Sequence, residues 1–188
     1  MRADARRNYD RLVETARHAF AERGTEASLE DIAKTAGVGI GTLYRHFPTR
    51  QALLREVLRD GIAAIRDKGR QVLEGPATPV DALAEWLRAL IRHTATFRGL
   101  SAEIMGGLRE EGSEFSEACG LMEAIGAELL TRAQATGAVR ADVGPDDLIK
   151  LVSAMAWLSE QGEDDTGRLV GIMFDGLLVG ANAPAVSS

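Results

Sequence analysis

Residues 36–47 read AGVGIGTLYRHF, which sets Gly37, Gly39 and Gly41 on alternate positions and follows them with Tyr44, Arg45 and His46. Glycine, free backbone amides and nearby positive charge are what a phosphate group requires, and two different chemistries use them. One is the phosphate-cradling loop of a nucleotide enzyme, where a buried strand enters a tight turn and a helix N-terminus faces the phosphate. The other is the turn and second helix of a helix-turn-helix, which meets phosphates and base edges of duplex DNA.

The neighbouring residues separate the two. A G-x-G-x-x-G pattern starting at Gly37 needs glycine at 42, where Thr42 stands, and no Lys-Ser/Thr pair follows to make a P-loop. The preceding segment SLEDIAKT is charged, and Ser28 with Asp31 three residues on resembles a capping box. A helix therefore leads into the glycines, which favours the helix-turn-helix. In that frame Ile32 and Ala33 pack against Leu43 and Phe47, Ala36 and Gly37 are small where the helices pass, and Val38 plugs the corner. Gly39, Ile40, Thr42, Tyr44, Arg45 and His46 are left to face outward, the last three being donors suited to phosphate oxygens or base edges.

The elements that must hold this stretch read as all-α, because apolar residues recur at helical spacing and no run alternates long enough for a strand. Leu12, Val13, Ala16, Ala19 and Phe20 form the stripe of a first helix that Gly24 should stop. Two short helices follow, LEDIAKTA and IGTLYRHF. Pro48 interrupts, and Thr49 caps a long fourth helix ending near Gly75-Pro76. Five more helices are expected at about 79–97, 100–109, 113–136, 145–160 and 164–180, with Pro79 and Pro145 in first turns. The tail GANAPAVSS is small and polar, which predicts mobility.

Composition narrows the setting. The hydrophobic fraction of 45% over 188 residues supports a packed core, and the single Cys119 allows no intramolecular disulfide. The charged N-terminus does not resemble a secretory signal, and no apolar run approaches the roughly eighteen residues a membrane span needs. A soluble cytoplasmic protein without a membrane partner is expected. The net charge of −6 is unevenly spread: residues 1–60 carry eleven Lys/Arg against nine Asp/Glu, the remainder eleven against nineteen. Any polyanion-binding surface belongs in the first third.

The run AKTAGVGIGTLYRHF, followed by Thr49-Arg50 and Leu53-Leu54 and preceded by LVETARHAFAERG, resembles the DNA-binding domain of TetR-family repressors over roughly residues 8–60. The resemblance implies double-stranded DNA as a partner. It implies phosphate contacts from Tyr44, His46 and Arg50, with Ser28 at the N-terminus of the second helix in place for another. Thr42 and Arg45 become the base readers, and Gly41 matches the family's small position, where backbone approaches DNA. One position departs: the family commonly has Ser or Thr where Gly39 stands, so a phosphate contact is lost there or made by the Gly39 amide.

Beyond residue 75, WLRALIRHTATFRGLSAEIMGGLRE and RAQATGAVRADV are similar to a C-terminal domain called SbtR-like, which names no effector. Polar and aromatic groups lie scattered on its apolar faces, as a sensor uses them to orient a small ligand and as a plain helical core also contains them. The candidate pocket residues are Trp86, Leu90, His93, Phe97, Met105, Cys119, Met122 and Trp157. Leu148, Leu151, Val152 and Met155, with Leu169, Ile172, Met173 and Leu177, form wide apolar faces on the last two helices and are the candidate dimer interface. Three histidines and one cysteine, none at metal-ligand spacing, point to no metal and no cofactor.

The expected organisation is a helix-turn-helix domain over 1–50, linked by helix 50–74 to a larger helical effector-binding and dimerisation domain over 51–188. The function it implies is a homodimeric repressor released from a palindromic operator by a small-molecule effector. Two rivals remain: a constitutive binder or activator whose C-terminal domain only dimerises, and a helical enzyme or nucleotide-binding module. A cavity of a few hundred cubic ångströms would separate sensor from plain dimerisation domain.

Overall fold

The computed structural model describes residues 2–107, 116–162 and 166–180. Among them the chain forms nine helices: α1 (Arg2–Arg23), α2 (Leu29–Thr35), α3 (Ile40–His46), α4 (Arg50–Glu74), α5 (Pro79–Thr94), α6 (Leu100–Gly107), α7 (Ser116–Ala135), α8 (Pro145–Glu160) and α9 (Thr166–Leu177). The fold is all-α, as the periodicity requires. The one β-like feature is an isolated bridge between Val139 and Leu178, where the chain after α9 pairs with the chain after α7.

Local chemistry sets most ends. Gly24 stops α1 in the left-handed region (φ +81°), and Gly37 makes the α2–α3 turn at φ +69°. The Thr49 hydroxyl accepts from the Ala52 amide at 2.9 Å to open α4, and Thr78 does the same for Asp81 ahead of Pro79. Only half of the expected capping box forms on α2. The Ser28 hydroxyl accepts from the Asp31 amide at 3.2 Å, but the Asp31 carboxylate turns to Arg23 at 3.4 Å.

Two helices are shorter than periodicity suggests. Expected to reach residue 97, α5 ends at Thr94 because Phe97 leaves the helical path to enter the N-terminal core, its ring 6.5 Å from that of Phe20. Expected to reach 180, α9 ends at Leu177, where the bridge to Val139 takes over. The expected residues 108–109 of α6 and 113–115 of α7 lie outside the described set, as do the Met105 and Cys119 side chains and the tail beyond Gly180.

Packing divides into two apolar clusters. The first joins Leu12, Ala16 and Phe20 of α1 with Ile32, Leu43 and Phe47, then takes in Leu53, Leu54, Val57 and Leu58 of α4 and, from far along the chain, Phe97 and Leu100. The second surrounds the fully buried Trp86, whose indole N–H donates to the Ile65 carbonyl at 3.3 Å. Gly69 and Gly126 let that indole lie against α4 and α7, since a Cβ on either would press on the ring. Ile62 touches both clusters, so α4 is shared between them.

Candidate functional site

The helix-turn-helix closes as its residue types dictate. Ile32, Ala33, Leu43 and Phe47 are all buried, Ala36 lies under the turn, and Val38 is half-buried against the same core. With α3 anchored by Leu43 and Phe47, its other side is presented to solvent: Gly39, Ile40, Gly41, Tyr44 and Arg45 are exposed. Tyr44 is 48% exposed and so is not a core aromatic. A buried tyrosine would hide its hydroxyl; this one offers it.

The two expected base readers engage each other. Arg45 donates from Nη2 to the Thr42 hydroxyl at 2.9 Å, one helical turn back, so the half-buried Thr42 fixes the direction of the guanidinium. His46 is half-buried, its ring edge-on to Tyr9 of α1 at 5.8 Å. Tyr9 also packs on Phe47 and donates its hydroxyl to Glu56 of α4; burial, chiefly, and that bond push its pKa up to about 12. Tyr9 thus ties the recognition helix to α1 and α4 at once. Sequence reading passed over it, and its only signal was an aromatic ring in the otherwise charged first turns of α1.

Arg50 is where the geometry departs from the family's implied role. Its Nη1 donates to the carbonyls of Thr25 at 2.8 Å and Ala27 at 2.5 Å, and the side chain is half-buried. It clamps the segment before α2 onto the start of α4 rather than pointing freely outward. Ser28 remains exposed, with its oxygen lone pair committed to the α2 cap and its hydroxyl proton still available.

Position 39 is the N-cap of α3, with extended backbone (φ −73°, ψ 149°) and no side chain to cap it. A Cβ there meets nothing within 4 Å. Gly39→Ser is therefore expected to raise stability by only a few tenths of a kcal/mol. If position 39 touches phosphate, the same change tightens duplex binding severalfold in an anisotropy titration; unchanged affinity places the contact elsewhere.

In the C-terminal helices a cavity of about 60 Å³ lies between α4 (Leu58, Ile62), α5 (Leu90, His93, Thr94), α6 (Leu100, Ile104), α7 (Met122) and α8 (Ile149, Val152, Ser153). Of the expected pocket residues it collects Leu90, His93 and Met122. Three others are corrected, the Met105 and Cys119 side chains lying outside the described residues: Trp86 is locked in the core away from the cavity wall, Phe97 is spent on the N-terminal cluster, and Trp157 is 52% exposed on α8. The cavity is also much smaller than the few hundred cubic ångströms asked of a sensor. Ser153 was not among the expected pocket residues because its neighbours on the helix surface look like ordinary core. Leu58 and Leu100 line the cavity and belong to the N-terminal cluster, so its wall is part of the reading head's own core.

A second concavity, wide and open, runs along α8 and α9, lined by Leu151, Met155, Leu158, Leu169, Ile172, Met173 and Leu177. Three residues of the expected dimer face are corrected. Leu148 and Val152 are 1% and 3% exposed because that side of α8 faces α5 and α7, and Leu177 at the end of α9 is 4% exposed in the same core, leaving them little surface to offer a partner.

A short exposed helix set on a glycine turn, carried by a long helix into a larger helical body, defines a helix-turn-helix DNA-binding regulator. Residues 12–57 match the bacterial regulatory proteins of the tetR family, and residues 78–179 match the C-terminal domain of SbtR-like transcriptional regulators. A TetR regulator of Mycobacterium vanbaalenii is 36% identical, with 95% of this chain and 99% of that one covered and a TM-score of 0.56. A TetR regulator of Streptomyces coelicolor is 30% identical over 92% and 99%, with a TM-score of 0.60. The chain belongs to the TetR family of transcriptional regulators and regulates transcription by binding DNA. The transcriptional repressor KstR2 of Mycolicibacterium smegmatis is 36% identical over 75 residues, a match spanning 37% of that protein's length. No helix among the described residues is long and apolar enough to cross a membrane.

Proposed function

We propose that the protein is a homodimeric repressor that leaves a palindromic operator when a small molecule enters the cavity between α4 and α8. The observation that carries this reading is the double membership of Leu58 and Leu100, which wall the cavity and help build the core of the reading head. A ligand that enlarges the cavity must shift those residues and with them the base of α4. It releases DNA only to the extent that it binds the shifted state more tightly.

The dimer rests on the α8–α9 concavity, where Ile172 is 53% exposed beside half-buried Leu151, Met155, Leu169 and Met173. Such a face is covered when two copies meet as a four-helix bundle. Two heads about 34–36 Å apart then read a palindrome. In each head Tyr44, and His46 beside it, contact phosphate, Gly41 lets the backbone approach, and Thr42 with Arg45 reads base edges. Ser28 supplies a further phosphate donor.

The 60 Å³ cavity favours a second reading, a constitutive binder whose C-terminal helices only dimerise. Selecting bound duplexes from a random pool, then repeating selection on the enriched site with metabolite extracts present, separates the two. Palindromic sites released by an extract fraction support the first; palindromic sites indifferent to every fraction support the second. Tyr44→Ala is expected to weaken binding to all duplexes and flatten the salt slope by about one unit. An unchanged slope removes Tyr44 from the phosphate contacts.

A further inference from the structure

We infer that the cavity's ligand is uncharged: a compact hydrocarbon body bearing one hydroxyl or carbonyl group, held at that end by Thr94, Ser153 and His93. The inference rests on the effector-responsive reading and names the chemistry of that site. Thr94 and Ser153 are 2% and 5% exposed, and both line the cavity. Their hydroxyls and the imidazole of His93 are the hydrogen-bonding side-chain groups on the described part of the wall. Two hydroxyls and an imidazole facing one small space offer donors and acceptors that a single polar atom entering it can answer.

The rest of the described wall argues against charge. Among the described residues no Lys, Arg, Asp or Glu lines the cavity, and the remaining described wall is hydrocarbon and the Met122 thioether. Burial lowers the His93 pKa below its usual 6.5, so at pH 7 it is a neutral ring with one donor and one acceptor. A carboxylate, phosphate or ammonium ion would lose its water here and gain no counter-charge. A hydroxyl or carbonyl gains all it needs. The His93 ring also leans on α4 at Gly61, where an added Cβ would fall 2.7 Å from Nδ1. A ligand that draws this ring toward itself changes the packing of the helix that carries the reading head.

The test uses the full chain with four probes: xenon, 1-hexanol, hexanoate and hexylammonium. Xenon under pressure reports whether the apolar space admits anything, and calorimetry at pH 7.5 ranks the other three, which share one alkyl chain. Xenon is expected in the cavity, with 1-hexanol binding at least tenfold tighter than either ion. Ser153→Ala and Thr94→Val, which remove the cavity's hydroxyls with little change of volume, are each expected to weaken 1-hexanol about fivefold to tenfold and leave xenon in place. Hexanoate or hexylammonium binding as tightly as the alcohol overturns the ligand class. Alcohol binding indifferent to both substitutions overturns the polar seat. Exclusion of xenon and all three chains overturns the effector reading itself.

Discussion

Arg50→Ala is expected to lower folding stability by about 3 kcal/mol while leaving the salt dependence of DNA binding nearly unchanged. The guanidinium donates to two backbone carbonyls, those of Thr25 and Ala27, on residues that are 2% and 5% exposed. Charge-assisted hydrogen bonds contribute roughly 1.5–3 kcal/mol each, and partial exposure of the arginine argues for the lower end of twice that range. Removing it also strands two carbonyls beside the N-terminus of α2. Urea unfolding checks the first half: the midpoint should fall with the slope of the transition unchanged. Arg50→Lys, a point charge without the fork, should recover part of the loss. Intact stability with a salt slope reduced by one unit would restore Arg50 to the phosphate contacts.

Much of the reading head was legible in the sequence because its signals are local. Ser28, Gly37, Pro48 and Thr49 punctuate two short helices and the start of α4 within a few residues of where they act, and the apolar positions between them leave one way to fold the two short helices together. Outward-facing Tyr44 and Arg45 follow from the same periodicity. The Arg50 clamp was not legible because its partners lie 23 and 25 residues away in sequence. Nothing in its neighbourhood announces a buried backbone acceptor.

The C-terminal half was legible as helices and much less so as a site. Trp86 and Leu148 carry the same residue types in the core that a pocket or an interface would use, and helical spacing alone does not say which neighbour each face meets. The cavity's polar seat came from Thr94 and Ser153, two residues on different helices that only the packing of α5 against α8 brings together. Phe97 marks the deepest limit. It sits in a segment periodic enough to extend α5, yet it is withdrawn to fill the core of the reading head.

That withdrawal creates a joint between the two halves, and Gly24→Ala is expected to break it at a cost of roughly 3 kcal/mol. Gly24 sits at φ +81°, a conformation alanine adopts at about 1 kcal/mol or more, and a Cβ there would lie 2.8 Å from the Arg98 carbonyl oxygen. That obstacle is backbone and has little room to yield, because the Thr25 amide donates to the same oxygen at 2.8 Å. The neighbouring Gly99 and Ser101 amides are gripped by the Glu160 carboxylate at 2.7 and 3.1 Å. The segment joining α5 to α6 is thus held by α8 on one side and by the α1–α2 turn on the other. Leu100, at its end, lines the cavity, and the Arg50 guanidinium takes the Thr25 carbonyl on the far face of the same peptide segment. If this joint carries the effector's signal alongside α4, Gly24→Ala should leave a folded protein that binds ligand but releases DNA less completely. Hydrogen exchange at the Thr25 amide reads the joint directly: protection should fall at least tenfold in the variant. Protection that survives, together with intact DNA release, would leave α4 as the sole route from cavity to DNA.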